Sequence, residues 1–311
     1  MGRSLYADIT VQTMIQNDPS QLRSGNGKNA AAQTPPLILV TNDDGIHSPG
    51  LLAVVEAVCD LGEIMVAAPQ RQYSNSGRSH PPSALRDRGA QPVTLPTRCP
   101  NVRAYALDSS PAQTVLRALT ELVPRRPALL ISGINYGENM GTGVTVSGTV
   151  GAALEAACAG VPALAVSLQT PHEFHFNPSA KVDFSVAAAF ARRFARMVLR
   201  GGLPPDVDVL KIDVPDTAGL DTPWRLTRAS RQPYYVPTLE RQLSSDGTQL
   251  TDYVIQIDWD TLEPDSDIYA LVVDRVVSVS PLSIDLTSRV DMSALTAELK
   301  RRNHDDVEPP G

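Results

Sequence analysis

LILVTNDDGIHSPGLL, residues 37–52, is the stretch whose reading decides the fold. Leu37, Ile38, Leu39 and Val40 form an apolar run without polar alternation, the pattern of a strand buried on both faces of a parallel sheet. Gly45, Pro49 and Gly50 interrupt the chain, and Leu51, Leu52, Val55 and Val58 then recur at helical spacing. Asp43 and Asp44 therefore lie where a strand gives way to a helix, at the edge where open α/β sheets bind their ligands. Taken alone, NDDG is also ordinary turn chemistry, since Asn and Asp cap helices and Gly accepts positive φ. Two adjacent carboxylates repel each other, however, and a divalent cation is the simplest neutralising partner.

Outward from this stretch, strands and helices alternate. Residues 64–68 read as a second strand closed by Pro69, and 102–107 as a third, followed by the turn Asp108-Ser109-Ser110-Pro111. A helix is expected over 112–122, a buried strand over 128–131, a helix of small residues over 149–159 and a strand over 163–168. An amphipathic helix over 184–199 and a strand over 207–214 follow. Such alternation predicts an α/β fold, a doubly wound and mostly parallel sheet of the Rossmann-like kind. After Pro215 the texture changes. Residues 224–227, 253–259 and 269–279 read as strands of a β-rich C-terminal extension, and 292–301 as a terminal helix. The expected organisation is a flexible polar arm (1–35), an α/β catalytic core (36–215), an extension that returns to the core and serves oligomerisation (216–290), and a helix with a charged tail (291–311).

Composition narrows the classes of function. The 311 residues carry a net charge of −7, with 42% hydrophobic and 20% charged residues and a pI near 5.3. An acidic chain gains little from the backbone of long nucleic acids, so polymer binding is not expected. No run approaches the ~18 apolar residues of a membrane helix, and the N-terminus lacks a charged-then-apolar leader. The three cysteines, Cys59, Cys99 and Cys158, are sparse and odd in number, which predicts a reducing, cytoplasmic setting and no disulfide framework. Cys59 and Cys158 fall in helical patterns and read as small core residues.

Four oxygen-bearing positions follow expected strand ends: Asp43 and Asp44 after the first, Ser74 beyond the second, and Asn135 after 128–131 in ISGINYG. Two carboxylates, a hydroxyl and an amide carbonyl are hard donors suited to Mg²⁺, Mn²⁺ or Ca²⁺, one ion per subunit, and unsuited to tetrahedral zinc. Six glycines then punctuate residues 133–151, GINYGENMGTGVTVSGTVG, which open into a helix. Backbone N–H groups near Ser147, Gly148 and Thr149 would favour an anion. The segment is neither a Walker A loop nor a dinucleotide fingerprint. Metal ligands beside an anion cradle imply phosphoryl chemistry.

Several segments, in this order and combination, resemble the survival protein E (SurE) family of metal-dependent 5′/3′-nucleotidases: TNDDGIHSPGL (41–51), VAAPQRQYSNSG (66–77), SGIN (132–135), SGTVGAALEA (147–156), PALAVSL (162–168) and VSVSPLSIDLT (277–287). The resemblance implies metal ligation by Asp43, Asp44, Ser74 and Asn135, hydrolysis of nucleoside monophosphates, action on short polyphosphate in some members, and association through the C-terminal part. A homodimer or homotetramer is expected, with 253–259 or 269–279 at the contact, because a small β extension has open edges and cannot cover both its faces alone. Three positions depart from the family pattern. Gln70 stands for an acid in APDRxxS, Gln113 for Asp in TPxDC, and LKIDVP (210–215) for LNVNVP.

The expected mechanism uses Asp43, Asp44 and Asn135 as catalytic groups around one ion, with Ser147, Gly148 and Thr149 binding the phosphate. A rival within the same class makes Asp43 a covalent nucleophile. His47 is a candidate acid or base and otherwise a wall residue; His80 is a weaker one. His172 and His175 are candidates for the pocket mouth, and Arg228 and Arg231 for steering phosphate, with a solvated loop as the plainer reading of both arginines. The alternative from another class is a phospho-receiver or non-catalytic phosphate-binding module. Asp108 offers some cover for it, but no lysine follows the strand at 163–168.

Overall fold

A computed structural model of the chain describes residues 34–81, 89–175, 179, 181–243 and 249–305. Almost all of the N-terminal arm lies outside them. The elements in order are β1 (Leu37–Thr41), α1 (Pro49–Val58), β2 (Glu63–Pro69), β3 (Gln91–Val93), β4 (Arg103–Leu107), α2 (Pro111–Arg117), β5 (Leu129–Tyr136), α3 (Gly148–Cys158), β6 (Ala163–Leu168), α4 (Ser185–Gly201), β7 (Val209–Val214), β8 (Trp224–Leu226), β9 (Tyr235–Leu243), β10 (Gln249–Ile255), α5 (Asp267–Val272), β11 (Val277–Leu282) and α6 (Met292–Asp305).

Among the described residues the main sheet has nine strands in the order β3-β4-β2-β1-β5-β6-β7-β11-β8. The run from β4 to β7 is parallel throughout. From β1 the chain steps outward to β2 and β4, then crosses back to β5 and steps the other way to β6 and β7. The reversal falls between β1 and β5, so their carboxyl ends flank the crevice that this topology leaves open. β11 runs antiparallel to β7 and parallel to β8. Residues beyond 215 thus supply two strands of the main sheet, and β9 and β10 form a separate antiparallel hairpin.

The apolar run of β1 explains the two-sided covering. Leu37 and Leu39 pack with Val115, Val150 and Ala153 of α2 and α3. Ile38 and Val40 pack with Val54 and Val55 of α1 and Phe190 and Phe194 of α4. Each of the four β1 residues is fully or almost fully buried, an environment that stabilises each such side chain by about 2 kcal/mol relative to water. Pro49 opens α1, where its missing N–H costs nothing.

Three expectations need correction. Residues 269–279 are not one strand: α5 occupies 267–272 before β11 begins. The Ser266 hydroxyl caps α5 by accepting from the Tyr269 N–H at 3.2 Å, and a short apolar run fits helix or strand equally until such a cap decides. Nor does the buried strand expected over 128–131 stop there: β5 runs on to Tyr136, so Asn135 lies inside it and not after it. The third correction concerns the cysteines. Cys59 and Cys99 form a disulfide with Cα atoms 5.8 Å apart, and Cys158, expected in the core, is free and exposed. The Cys59–Cys99 pairing is long-range, closing 40 residues, and no local spacing signals it.

A loop of that length predicts about 4 kcal/mol of stabilisation in the chain-entropy picture. Thiol titration of the denatured, unreduced protein should find one reactive thiol, and a reductant should lower the melting midpoint by several degrees. Three titratable thiols would contradict the bridge.

Candidate active site at the switch point of the sheet

The turn after β1 is built by Asn42. Its side chain donates to the Gly45 carbonyl at 3.0 Å and accepts from the Gly45 N–H at 3.2 Å. Gly45 has φ +102°, a conformation that strains any residue with a Cβ. This closed turn turns both aspartates inward, where they are buried. The Asp43 carbonyl accepts from the Tyr73 N–H at 2.7 Å, which ties the loop after β2 to the same turn.

Asp43 faces the start of α3. The Thr149 hydroxyl donates to Asp43 Oδ1 at 2.6 Å, and the Thr149 N–H supports the same carboxylate. Gly148 permits this approach, because a Cβ there would lie 2.7 Å from Asp43 Oδ2. Burial nevertheless dominates and raises the Asp43 carboxyl from 3.8 to about 6. Asp44 is raised further, first by burial and then by the charge of Asp43. Its contacts are long: Gln72 Nε2 and the Tyr136 N–H, each at 3.4 Å. Among the described residues no basic side chain pairs with either carboxylate, so the protein itself does not neutralise the pair.

Ser74 and Asn135 complete the group. Gln72 Nε2 donates to Ser74 Oγ at 2.9 Å and to the His175 carbonyl at 2.6 Å. Asn135 Nδ2 donates to the carbonyls of Gly137 at 2.7 Å and Tyr136 at 3.1 Å, leaving Oδ1 for the cavity. The sheet register shifts between Ser132 and Asn135, and such an irregularity re-aims a side chain beside a site. All four donors are hard oxygens, and among the described residues no group of three or more His, Cys, Asp and Glu is placed to hold a metal ion. The set suits a hard divalent cation.

Asp43, Ser74, Asn135, Ser147 and Gly148 line one cavity of about 310 Å³, a volume in the range of small-molecule sites. Its remaining wall includes Asn75, Glu138, Asn139, His175, Tyr235 and Tyr253. Ser147 caps α3, its hydroxyl oxygen accepting from the Val150 N–H at 3.1 Å. Thr149 does not line the cavity, being engaged by Asp43. Asp44 also lies behind the wall.

The other candidates separate clearly. His47 is exposed and outside the wall. His80 lies 3.2 Å from Glu155 Oε2, which Arg78 also pairs at 2.6 Å. His175 is buried, and burial pulls its pKa to about 4, so its ring is neutral near pH 7. It bonds the Tyr253 hydroxyl and lies 3.1 Å from the Thr170 carbonyl oxygen. His172 packs edge-on against Tyr253. Arg228 and Arg231 do not line the cavity, nor do Gln70 and Gln113. Asp108, the support of the receiver alternative, accepts from the exposed Tyr73 hydroxyl.

Sequence reasoning missed Gln72, Asn75, Glu138 and Tyr235. Asn75 has φ +58°, which Asn tolerates better than most residues, and its place beside Ser74 was the available signal. Tyr235 reaches the cavity from β9, on which no strand was expected.

Known proteins resemble this chain over most of its length. Residues 38–235 match the family model described as survival protein SurE. The 5′-nucleotidase SurE of Thermococcus gammatolerans is 43% identical over 259 residues, covering 83% of this chain and 94% of that protein. The 5′-nucleotidase SurE of Archaeoglobus fulgidus is 39% identical over 256 residues, covering 82% and 94%. The crystal structure of the SurE protein from Aquifex aeolicus superposes with a TM-score of 0.65 at 27% identity, covering 85% of this chain and all of that one. With a family model matching more than half its length and relatives this similar aligned over most of theirs, the chain belongs to the survival protein SurE family.

Proposed function

We propose that the chain is a divalent-cation-dependent 5′-nucleotidase, hydrolysing nucleoside monophosphates to nucleoside and phosphate. The observation that carries this reading is the buried Asp43–Asp44 pair, without a basic side-chain partner, of which Asp43 lines a cavity on which a helix start converges. Relatives named 5′-nucleotidase support the same substrate class. Short polyphosphate belongs to the proposal as a second substrate, since its terminal phosphoryl group makes the same demand on the site. Among the described residues no helix is long and apolar enough to cross a membrane.

Asp43, Asp44, Ser74 and Asn135 would hold the cation, Mg²⁺ or Mn²⁺ before Ca²⁺. When bound, such an ion neutralises charge on the phosphate and acts as a Lewis acid toward it. The chain's own groups do the rest. The Ser147 hydroxyl, its oxygen already accepting from Val150, retains a proton to donate to phosphate. The Gly148 N–H stands at the positive end of α3 and offers a second donor. Asp43 borders the cavity and is the carboxylate suited to take the proton of an attacking water, while Thr149 holds it in orientation. Tyr235 and Tyr253 offer the nucleoside an apolar wall.

Assembly belongs to the same proposal. Val254, Ile255 and Trp259 are exposed, as are Met292, Leu295 and Leu299 of α6. Exposed apolar groups, here in and beside β10 and at i, i+3 and i+7 along α6, favour a partner surface, and a second copy of the chain is the proposed occupant, giving a homodimer or homotetramer. Light scattering should give at least twice the monomer mass of 33.4 kDa, and removal of residues 288–311 should reduce it. A monomer at micromolar concentration would refute the assembly.

Turnover of nucleoside monophosphates should require a divalent cation and vanish with a chelator; full activity in EDTA would exclude the reading. Asp43→Asn and Asp44→Asn should each lower kcat by about 100-fold or more. The folded protein should tolerate Asp43→Asn. In the folded metal-free chain, the raised Asp43 carboxyl keeps its proton to about pH 6, whereas the unfolded chain loses it near 3.8. Stability therefore falls as pH rises through that window. In chelator, Asp43→Asn should melt above the parent at pH 7, and the gap should close toward pH 4.

The two neighbours at the start of α3 should behave differently. Ser147→Ala should raise KM more than it lowers kcat, since a ground-state phosphate contact is lost. Thr149→Ala should lower kcat more, since it frees the Asp43 carboxylate. Steady-state kinetics on one nucleotide separates the two, and identical effects would show that both serve one role.

A further inference from the structure

The family departure LKIDVP has a structural counterpart that the proposed reaction does not use. Lys211 lies in β7 and is fully buried, as are Asp213 and Asp267. Its ammonium donates to Asp213 Oδ2 and, at 3.1 Å, to Asp267 Oδ2. Burial opposes the charge on Lys211, but the two carboxylates outweigh it and its pKa is raised. The carboxylates in turn hold backbone from two separate segments. Asp213 Oδ1 accepts from the Asn139 N–H at 2.8 Å. Asp267 Oδ2 accepts from the Gly141 N–H at 3.1 Å, and its Oδ1 from the Ser230 N–H at 2.9 Å. Asn139 is further fixed through Nδ2 to Ser167 Oγ at 2.8 Å.

Asn139 and Gly141 belong to the segment that leaves Asn135 and returns at Ser147. Glu138, Asn139, Met140 and Gly143 of this segment line the cavity. Both of its ends therefore carry groups of the candidate site, and its middle is fastened to one buried cation flanked by two anions. Without that cation, two carboxylates would face each other in an interior where an uncompensated charge costs several kcal/mol. One would have to take up a proton or withdraw from its loop amide.

We propose that Lys211 is a positioning residue, clamping the 137–147 loop through Asp213 and Asp267 and thereby setting the spacing between Asn135 and the Ser147–Gly148 donors. The inference rests on the nucleotidase reading for its kinetic consequence, though not for its structural one. It also accounts for the paired departure from the family's LNVNVP. Asn at 211 and at 213 would form a neutral pair, and Asp267 alone is satisfied by the N–H groups of Gly141, Ser230 and Ile268. Lys211 and Asp213 are thus exchangeable together and not singly.

The test compares Lys211→Met, Lys211→Asn and the double variant Lys211→Asn/Asp213→Asn. The readouts are kinetics on nucleoside 5′-monophosphates and amide hydrogen exchange at Asn139 and Gly141 in the metal-free protein. Each single variant should raise KM by about tenfold while lowering kcat less than about threefold, and exchange at both amides should accelerate. The double variant should return KM to within about threefold of the parent and restore protection. Unchanged KM and unchanged exchange in a folded Lys211→Met protein would overturn the clamp. A double variant no better than Lys211→Asn would overturn it too. If even the parent hydrolyses no nucleotide, the nucleotidase reading fails, and the exchange data alone decide the clamp.

Discussion

Burial of two adjacent carboxylates at the end of β1 is the constraint on which the rest of the site depends. Asp43 and Asp44 cannot share an apolar interior as anions unless something positive joins them, and among the described residues no side chain does so. The surroundings supply only partial charges: the Thr149 hydroxyl and the start of α3 toward Asp43, and long contacts toward Asp44. The sheet places this deficit at its topological switch point, where the diverging crossovers leave a crevice. Gly45 allows the turn, Gly148 allows the helix to approach, and Asn42 locks the loop. Each is a local choice that makes sense only because the carboxylates must face inward.

The same physics gives the site two levels of support. Groups that border the cavity, such as Ser147 and Asn135, are held by bonds that leave one polar function unused. Asn135 commits its amide N–H groups to backbone carbonyls, and Ser147 commits its oxygen to a helix N–H. Behind them, Gln72 and the Lys211–Asp213–Asp267 group fix loops, not ligands. Preorganisation of this kind stops the polar groups from collapsing onto one another.

What the sequence revealed follows the range over which each signal acts. β1, β6 and α4 were legible because apolar periodicity is local and strong, and Ala163–Leu168 emerged with the same bounds as expected. Asp43, Asp44 and Ser74 could be nominated as oxygen donors because each follows a strand end within a few residues, whereas Asn135 was placed after a strand that in fact runs on through it to Tyr136. Thr149 was assigned to phosphate because nothing local shows that its hydroxyl turns to a carboxylate 106 residues away. The Cys59–Cys99 bridge and the Lys211 group were hidden for the same reason: their partners meet only after the sheet has formed. In 267–272 the difficulty was different, since a short apolar run is ambiguous and the Ser266 cap decides it.

The position of β11 has a consequence for how the molecule comes into being. The strand that lies against β7 is nearly the last segment of the chain, although it occupies an inner place in the sheet. During synthesis, β1 to β7 can assemble well before residues 277–282 leave the ribosome. Until then β7 presents an open edge of unpaired backbone groups, with Lys211 and Asp213 awaiting Asp267. An open edge of that kind invites pairing with other chains. The nascent protein is thus most exposed to misassembly once β1 to β7 have formed, and its safety depends on the late arrival of one short strand.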